Sequence, residues 1–273
     1  MLGKLMKHEF KNTWTYMTLI CVGIILSGIL GGIIFRVFPY DKLKGDTSSI
    51  YGILLFYTAF TFLIIIVALN ILAMVLIVVH YYKNLYTSQG YLSFTLPASI
   101  TEVVSSRILV GCIWSLATSV ATFIGIVITC VVGCSKYIPL VDYFNDFIQE
   151  LFSELGTGRA ISITIAYVVL CLINVFSKML LYFFCISVGQ LWQQHKILGA
   201  IACYFATNFI GGLVSLLLGI GNYTFMLTTY DYYSNLNEYI NMSLVKGYVY
   251  TLILGAILFI GAVLVPNKKL NLD

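Results

Sequence analysis

Charge is what this sequence has least of. Only 10% of its 273 residues are charged and 60% are hydrophobic, where a soluble domain carries nearer a quarter charged and half apolar. A soluble globular fold is excluded on composition alone. Basic clusters are missing too, the longest being Lys268-Lys269, so nucleic acid is excluded as a partner. Cysteine is present seven times, at Cys21, Cys112, Cys130, Cys134, Cys171, Cys185 and Cys203. All seven lie in apolar segments without paired loop spacing or a CxxC, so they read as small core residues rather than disulfides or zinc ligands. There is no GxxxxGK[ST] phosphate loop, no HExxH and no carboxylate pair within an apolar run. His8, His80 and His195 all fall at the borders of apolar runs. No catalytic residue, metal or cofactor is assigned to this chain, and it is not expected to be an enzyme.

What is present is six apolar runs of membrane-spanning length, roughly 15–36, 52–80, 107–133, 160–188, 197–220 and 245–265. The expected fold is an all-α membrane protein of six transmembrane helices. Lys4, Lys7 and Lys11 precede a first run too long for a signal peptide, and no cleavage site is evident. With the N-terminus inside, the inner segments hold Lys4, Lys7, Lys11, Lys83, Arg107, Lys196, Lys268 and Lys269 against Glu9, Glu102 and Asp273. The outer segments are net negative. Both termini are therefore expected to be cytoplasmic, with residues 266–273 as a short tail behind a transmembrane domain at 15–265.

Two further stretches are amphipathic. In residues 1–14, MLGKLMKHEFKNTW, the apolar stripe Leu2, Leu5, Met6, Phe10 and Trp14 continues to Met17, opposite Lys4, Lys7, His8 and Lys11. This pattern predicts an interfacial helix with its cations toward headgroups, the alternative being a simple extension of the first span. On the outer side, Leu140, Phe144, Phe147, Ile148, Leu151, Phe152 and Leu155 form a stripe opposite Asp142, Asn145, Asp146, Gln149, Glu150 and Glu154, predicting an extracellular amphipathic helix. Small residues recur at four-residue spacing at Gly28 and Gly32, and at Thr207, Gly211, Ser215 and Gly219. Both sets are candidate packing or dimer faces. Lys178 is the one charge deep in a span, either lining a polar pathway or snorkelling to the surface. Asn70, Asn174 and Asn208 are expected to bond between helices.

The polar interruption at 81–107, YYKNLYTSQGYLSFTLPASITEVVSSR, is rich in Tyr, Ser and Thr rather than charge. It is too polar for lipid and too poor in charge for a simple solvated loop. Its Tyr86, Tyr91, Leu92 and Phe94 suit a protein groove, in a partner or under the chain's own helices.

Three segments together resemble the permease subunits of ABC-2 type exporters, particularly those of bacterial lantibiotic and other antimicrobial-peptide export or immunity systems. They are MLGKLMKHEFKNTW, the run YKNLYTSQGYLSFTLPAS (similar to a GYLxFTLPxS loop) and ISVGQLWQQHKILGAIACYF at 186–205. Gln89 departs from the acidic residue expected there. The resemblance implies a homodimeric or heterodimeric permease in a bacterial plasma membrane, docked on a cytoplasmic ABC ATPase that binds ATP and Mg. The N-terminal helix would be the interfacial elbow. A first coupling segment would include Lys83, Asn84, Leu85, Tyr86, Gln89, Gly90, Tyr91, Leu92 and Phe94. A second would include Gln190, Trp192, Gln193, His195 and Lys196. The substrate implied is amphipathic, such as a peptide leaving the bilayer. A sensing or immunity subunit without transport, a secondary transporter or channel, and a membrane enzyme are the rival readings.

Overall fold

Each apolar run forms one helix, and every helix outlasts its run. In this computed structural model, described for residues 2–38, 48–86, 100–134, 143, 145, 146, 149, 152, 156–192, 195–228 and 232–268, the elements are α1 (Leu2–Val37), α2 (Ser48–Tyr86), α3 (Ile100–Cys134), α4 (Thr157–Gly189), α5 (Lys196–Thr228) and α6 (Tyr232–Lys268). All six are long and apolar enough to cross a membrane, and no strand occurs among the described residues. Large apolar side chains such as Leu19, Phe56, Phe205 and Leu217 stand at least 66% exposed. Surfaces of this kind are stable against hydrocarbon and not against water. The chain is a multi-pass membrane protein.

The helices exceed the expected spans for a physical reason. α2 holds 39 residues, about 58 Å at 1.5 Å per residue, against a hydrocarbon core of about 30 Å. Beyond the bilayer a helix needs no apolar exterior, only satisfied backbone groups and helix-compatible ends. Glu102 in the first turn of α3 and Lys83 in the last turn of α2 complement the helix dipole.

The chain forms two compact units. One comprises Lys7–Ile77 and Ile113–Ala160, which takes in nearly all of α1 and long stretches of α2 and α3. Small residues let α1 and α3 touch there. A Cβ on Gly28 would meet the Gly125 carbonyl oxygen at 2.5 Å, and one on Gly32 would meet Val132 at 2.9 Å. Thr129 Oγ1 donates across this contact to the Gly28 carbonyl at 2.9 Å. The Gly28–Gly32 stripe is therefore spent within the chain. Asn70 Nδ2 bridges α2 to Thr122 Oγ1 of α3 at 3.0 Å, as expected of an interhelical amide. For Asn174 and Asn208 the described bonds go instead to Leu170 and Tyr204 carbonyls of their own helices. Four residues back, the backbone carbonyl lies within reach of a short amide and can accept a second bond beside the helical one.

Residues 1–14 are continuous with the first span, since α1 is unbroken from Leu2 to Val37. Lys4, Lys7, His8 and Lys11 are exposed, while Leu2, Leu5, Met6 and Phe10 are half-buried and Met17 is buried. Trp14 departs from the stripe and is 53% exposed. Phe10 stacks on Trp114 of α3 at 4.9 Å, and Trp114 Nε1 donates to Thr13 Oγ1 at 2.8 Å. Past the second amphipathic stripe, Gly156 takes a φ of 75° and its N–H donates to the Phe152 carbonyl. Asn145, Asp146 and Gln149 of the polar face opposite that stripe are helical and exposed, and the rest of that face and most of the stripe fall outside the described residues.

The second unit is Met1–Met6, Val78–Cys112 and Ile161–Asp273. In it α4 and α6 are joined by Ser177 Oγ donating to the Thr251 carbonyl at 3.2 Å and by Tyr248 donating to the Ala166 carbonyl. α5 meets α4 through a Tyr182–Tyr204 ring stack and α6 through the Tyr250 hydroxyl on the Gly211 carbonyl.

Candidate functional site

The polar segments singled out by sequence begin on well-anchored helix ends within the second unit. Lys83, Asn84, Leu85 and Tyr86 form the last turns of α2, with Lys83 exposed and Asn84 bonded to His80 Nε2 at 2.9 Å. Leu85 and Tyr86 are buried, as is Tyr81 one turn earlier. Helical spacing explains the set: residues 81 and 85 share a face, and 86 lies beside them.

That face packs on the end of α4. Tyr86 Oη donates to Ser187 Oγ at 2.8 Å, and Ser187 Oγ donates in turn to the Phe183 carbonyl at 2.9 Å. Tyr81 stacks on Phe183 with centroids 4.1 Å apart, and its ring also meets Tyr86 edge-on at 6.1 Å. Val103, Val104, Ser106, Arg107 and Ile108 from the first turns of α3 are buried in the same unit. The Arg107 charge lies within electrostatic reach of both tyrosine hydroxyls. The residues on either side of segment 87–99 thus run into buried structure.

Ser187 stands just before the turn between α4 and α5. Gly189 closes α4 with no room for a side chain, since a Cβ there would lie 2.7 Å from the Lys196 carbonyl oxygen and the Ala200 nitrogen. The turn is held by Gln190 N–H to the Ile186 carbonyl and Trp192 N–H to the Gly189 carbonyl. Trp192 lies against Gly199, whose Cβ would meet its ring at 2.5 Å. Gln190 and Lys196 are half-buried, while Leu191, Trp192 and His195 are exposed.

Part of each predicted segment is therefore placed and part is not. Gln89, Gly90, Tyr91, Leu92, Phe94, Gln193 and Pro97 lie outside the described residues. Tyr86 turns inward and grips Ser187, so its ring is not available to a partner's groove. Sequence reasoning singled out neither Ser187 nor Phe183, Tyr81 only as a member of the polar stretch, and Arg107 only there and in the charge balance. A serine in an apolar run carries no periodic signal, and its partner is far away in sequence.

The remaining candidates are scattered. Lys178 is exposed on α4. Gly211 sits under the Tyr250 hydroxyl, Ser215 is exposed with its hydroxyl on the Gly212 carbonyl, and Gly219 has open space around it. No protein-family model, curated protein or solved structure matches this chain.

Proposed function

We propose that this chain is the permease subunit of an ATP-binding-cassette exporter, driven by a separate cytoplasmic ATPase. The observation that carries the proposal is the buried Tyr86–Ser187 hydrogen bond, backed by the Tyr81–Phe183 stack. It ties the segment leaving α2 to the end of α4, from which the second polar segment starts. A push on residues 87–99 is thereby delivered to α4 through packed groups with little freedom to yield. A two-segment docking element fits a machine whose energy arrives from outside, and the sequence has no phosphate loop of its own.

In this reading both termini face the cytoplasm of a bacterial cell, and the exposed Lys4, Lys7, His8 and Lys11 of the elbow address headgroups of the plasma membrane. Tyr91, Leu92 and Phe94 of the first segment, and Trp192 and His195 of the second, address the ATPase. ATP binding closes the ATPase pair, the docking segments follow, and the spans exchange inward- and outward-facing states. A second permease, identical or not, completes the pathway. Lys178, exposed within a span, faces that pathway, where a charge is tolerated by water rather than lipid. The cargo is amphipathic, of the peptide class.

The test is co-purification with the candidate ATPase before and after Tyr91→Asp and Leu92→Asp. Each substitution is expected to strip the ATPase from the membrane chain while leaving the latter monodisperse. Undiminished association in both variants removes the docking assignment.

A further inference from the structure

A groove of about 670 Å³ runs between α5 and α6 with its back against α4. Its volume falls in the range of about 300–1,000 Å³ found for small-molecule sites, yet its walls are almost wholly aliphatic. Val214 and Leu218 of α5 face Val249, Ile253 and Leu258 of α6. α5 presents Gly211 to the groove, and the Tyr250 hydroxyl stands over it, 2.9 Å from where a Cβ would be. That hydroxyl is satisfied by the Gly211 carbonyl at 3.3 Å. The groove floor therefore offers no polar group in need of a partner.

The exception is at one end. Lys246 lines the groove in the second turn of the apolar window Ile240–Val265 of α6. From Lys246 to Leu258 the helix rises about 18 Å at 1.5 Å per residue. One leaflet of a hydrocarbon core about 30 Å thick is about 15 Å deep. A single cation at one end of an aliphatic channel one leaflet deep has the dimensions and the polarity of one lipid.

We infer that this groove binds an anionic phospholipid, one acyl chain lying between α5 and α6 and the phosphate against Lys246. Lys246 also has an interaction within the chain, but an ammonium carries three donors, enough to serve a phosphate oxygen as well. The long stem of the lysine follows the groove wall and places the charge at headgroup level. The site is independent of the transport reading and does not need the ATPase.

The experiment uses the full chain purified in a neutral detergent and exposed to an equimolar mixture of phosphatidylglycerol and phosphatidylcholine of the same chain length. Bound lipid is counted by native mass spectrometry. Retention is expected to favour phosphatidylglycerol by about fivefold, the effect of one lysine near an anionic headgroup, and Lys246→Gln is expected to bring the ratio to about one. Val249→Trp, which fills the groove, is expected to lose both lipids while eluting as the wild type does. Equal retention of the two lipids by the wild-type chain overturns the site, as does a preference that Lys246→Gln leaves intact. Efficient chain-to-chain disulfide formation by Val249→Cys overturns it too, because a second copy would then cover the groove. If Val249→Trp does not fold, the Lys246→Gln ratio decides the matter unaided.

Discussion

Deleting Ser187 and deleting the Tyr86 hydroxyl should not cost the same, although they break one hydrogen bond. In Tyr86→Phe the Ser187 hydroxyl loses a donor but still bonds to the Phe183 carbonyl, so Ser187 is not orphaned. The expected loss is that of an ordinary hydrogen bond, about 0.5–1.5 kcal/mol. In Ser187→Ala the Tyr86 hydroxyl stays in a side chain only 7% exposed with its acceptor gone, and the cost rises to about 1–3 kcal/mol. The double variant removes both polar groups, so its cost should fall short of the sum by about 1 kcal/mol. Measured hydrogen-bond couplings in membrane helices average about 0.6 kcal/mol and reach about 1.7. Reversible unfolding of the four proteins in mixed micelles completes the cycle. Strict additivity, within about 0.3–0.5 kcal/mol, would refute the claim that these two groups join α2 to α4.

Gly28→Leu should destabilise the first unit by about 1–3 kcal/mol or more through overpacking on Gly125, whereas Gly219→Leu, with open space around it, should unfold at the wild-type temperature. Trp114→Phe removes the bond to Thr13 and should expose the first turns of α1 to limited proteolysis at a loss of about 1 kcal/mol. Lys178→Met should leave the unfolding midpoint within about 0.5 kcal/mol of wild type, as for exposed sites generally, while lowering ATP-driven transport in reconstituted vesicles.

Hydropathy made six helices legible, because apolar runs of this length have few other fates. The helices run on past those spans. Residues 81–86 are polar enough to read as loop, yet they stay helical with Leu85 buried and Tyr81 and Tyr86 packed on Phe183 and Ser187 of α4. The small-residue rule offered Gly28 and Gly32 as packing or dimer positions, and spacing alone could not say that the neighbours would be Gly125 and Val132 of the same chain. It also grouped Ser215 and Gly219 with Gly211, although only Gly211 has a helix close against it. The N-terminal stripe was read as a lipid-facing surface, and part of it is turned to Trp114, since an apolar face is blind to what covers it. Ser187 was invisible for the same reason that it matters: its role depends wholly on a tyrosine distant in sequence.

The central claim is that residues 83–93 face the cytoplasm and receive an ATPase. A chain with its seven cysteines replaced and one introduced by Gln89→Cys tests this directly with a membrane-impermeant thiol reagent. The account predicts no labelling in intact cells, strong labelling in inside-out vesicles, and protection there when the ATPase is bound. Labelling of position 89 from outside intact cells would contradict it.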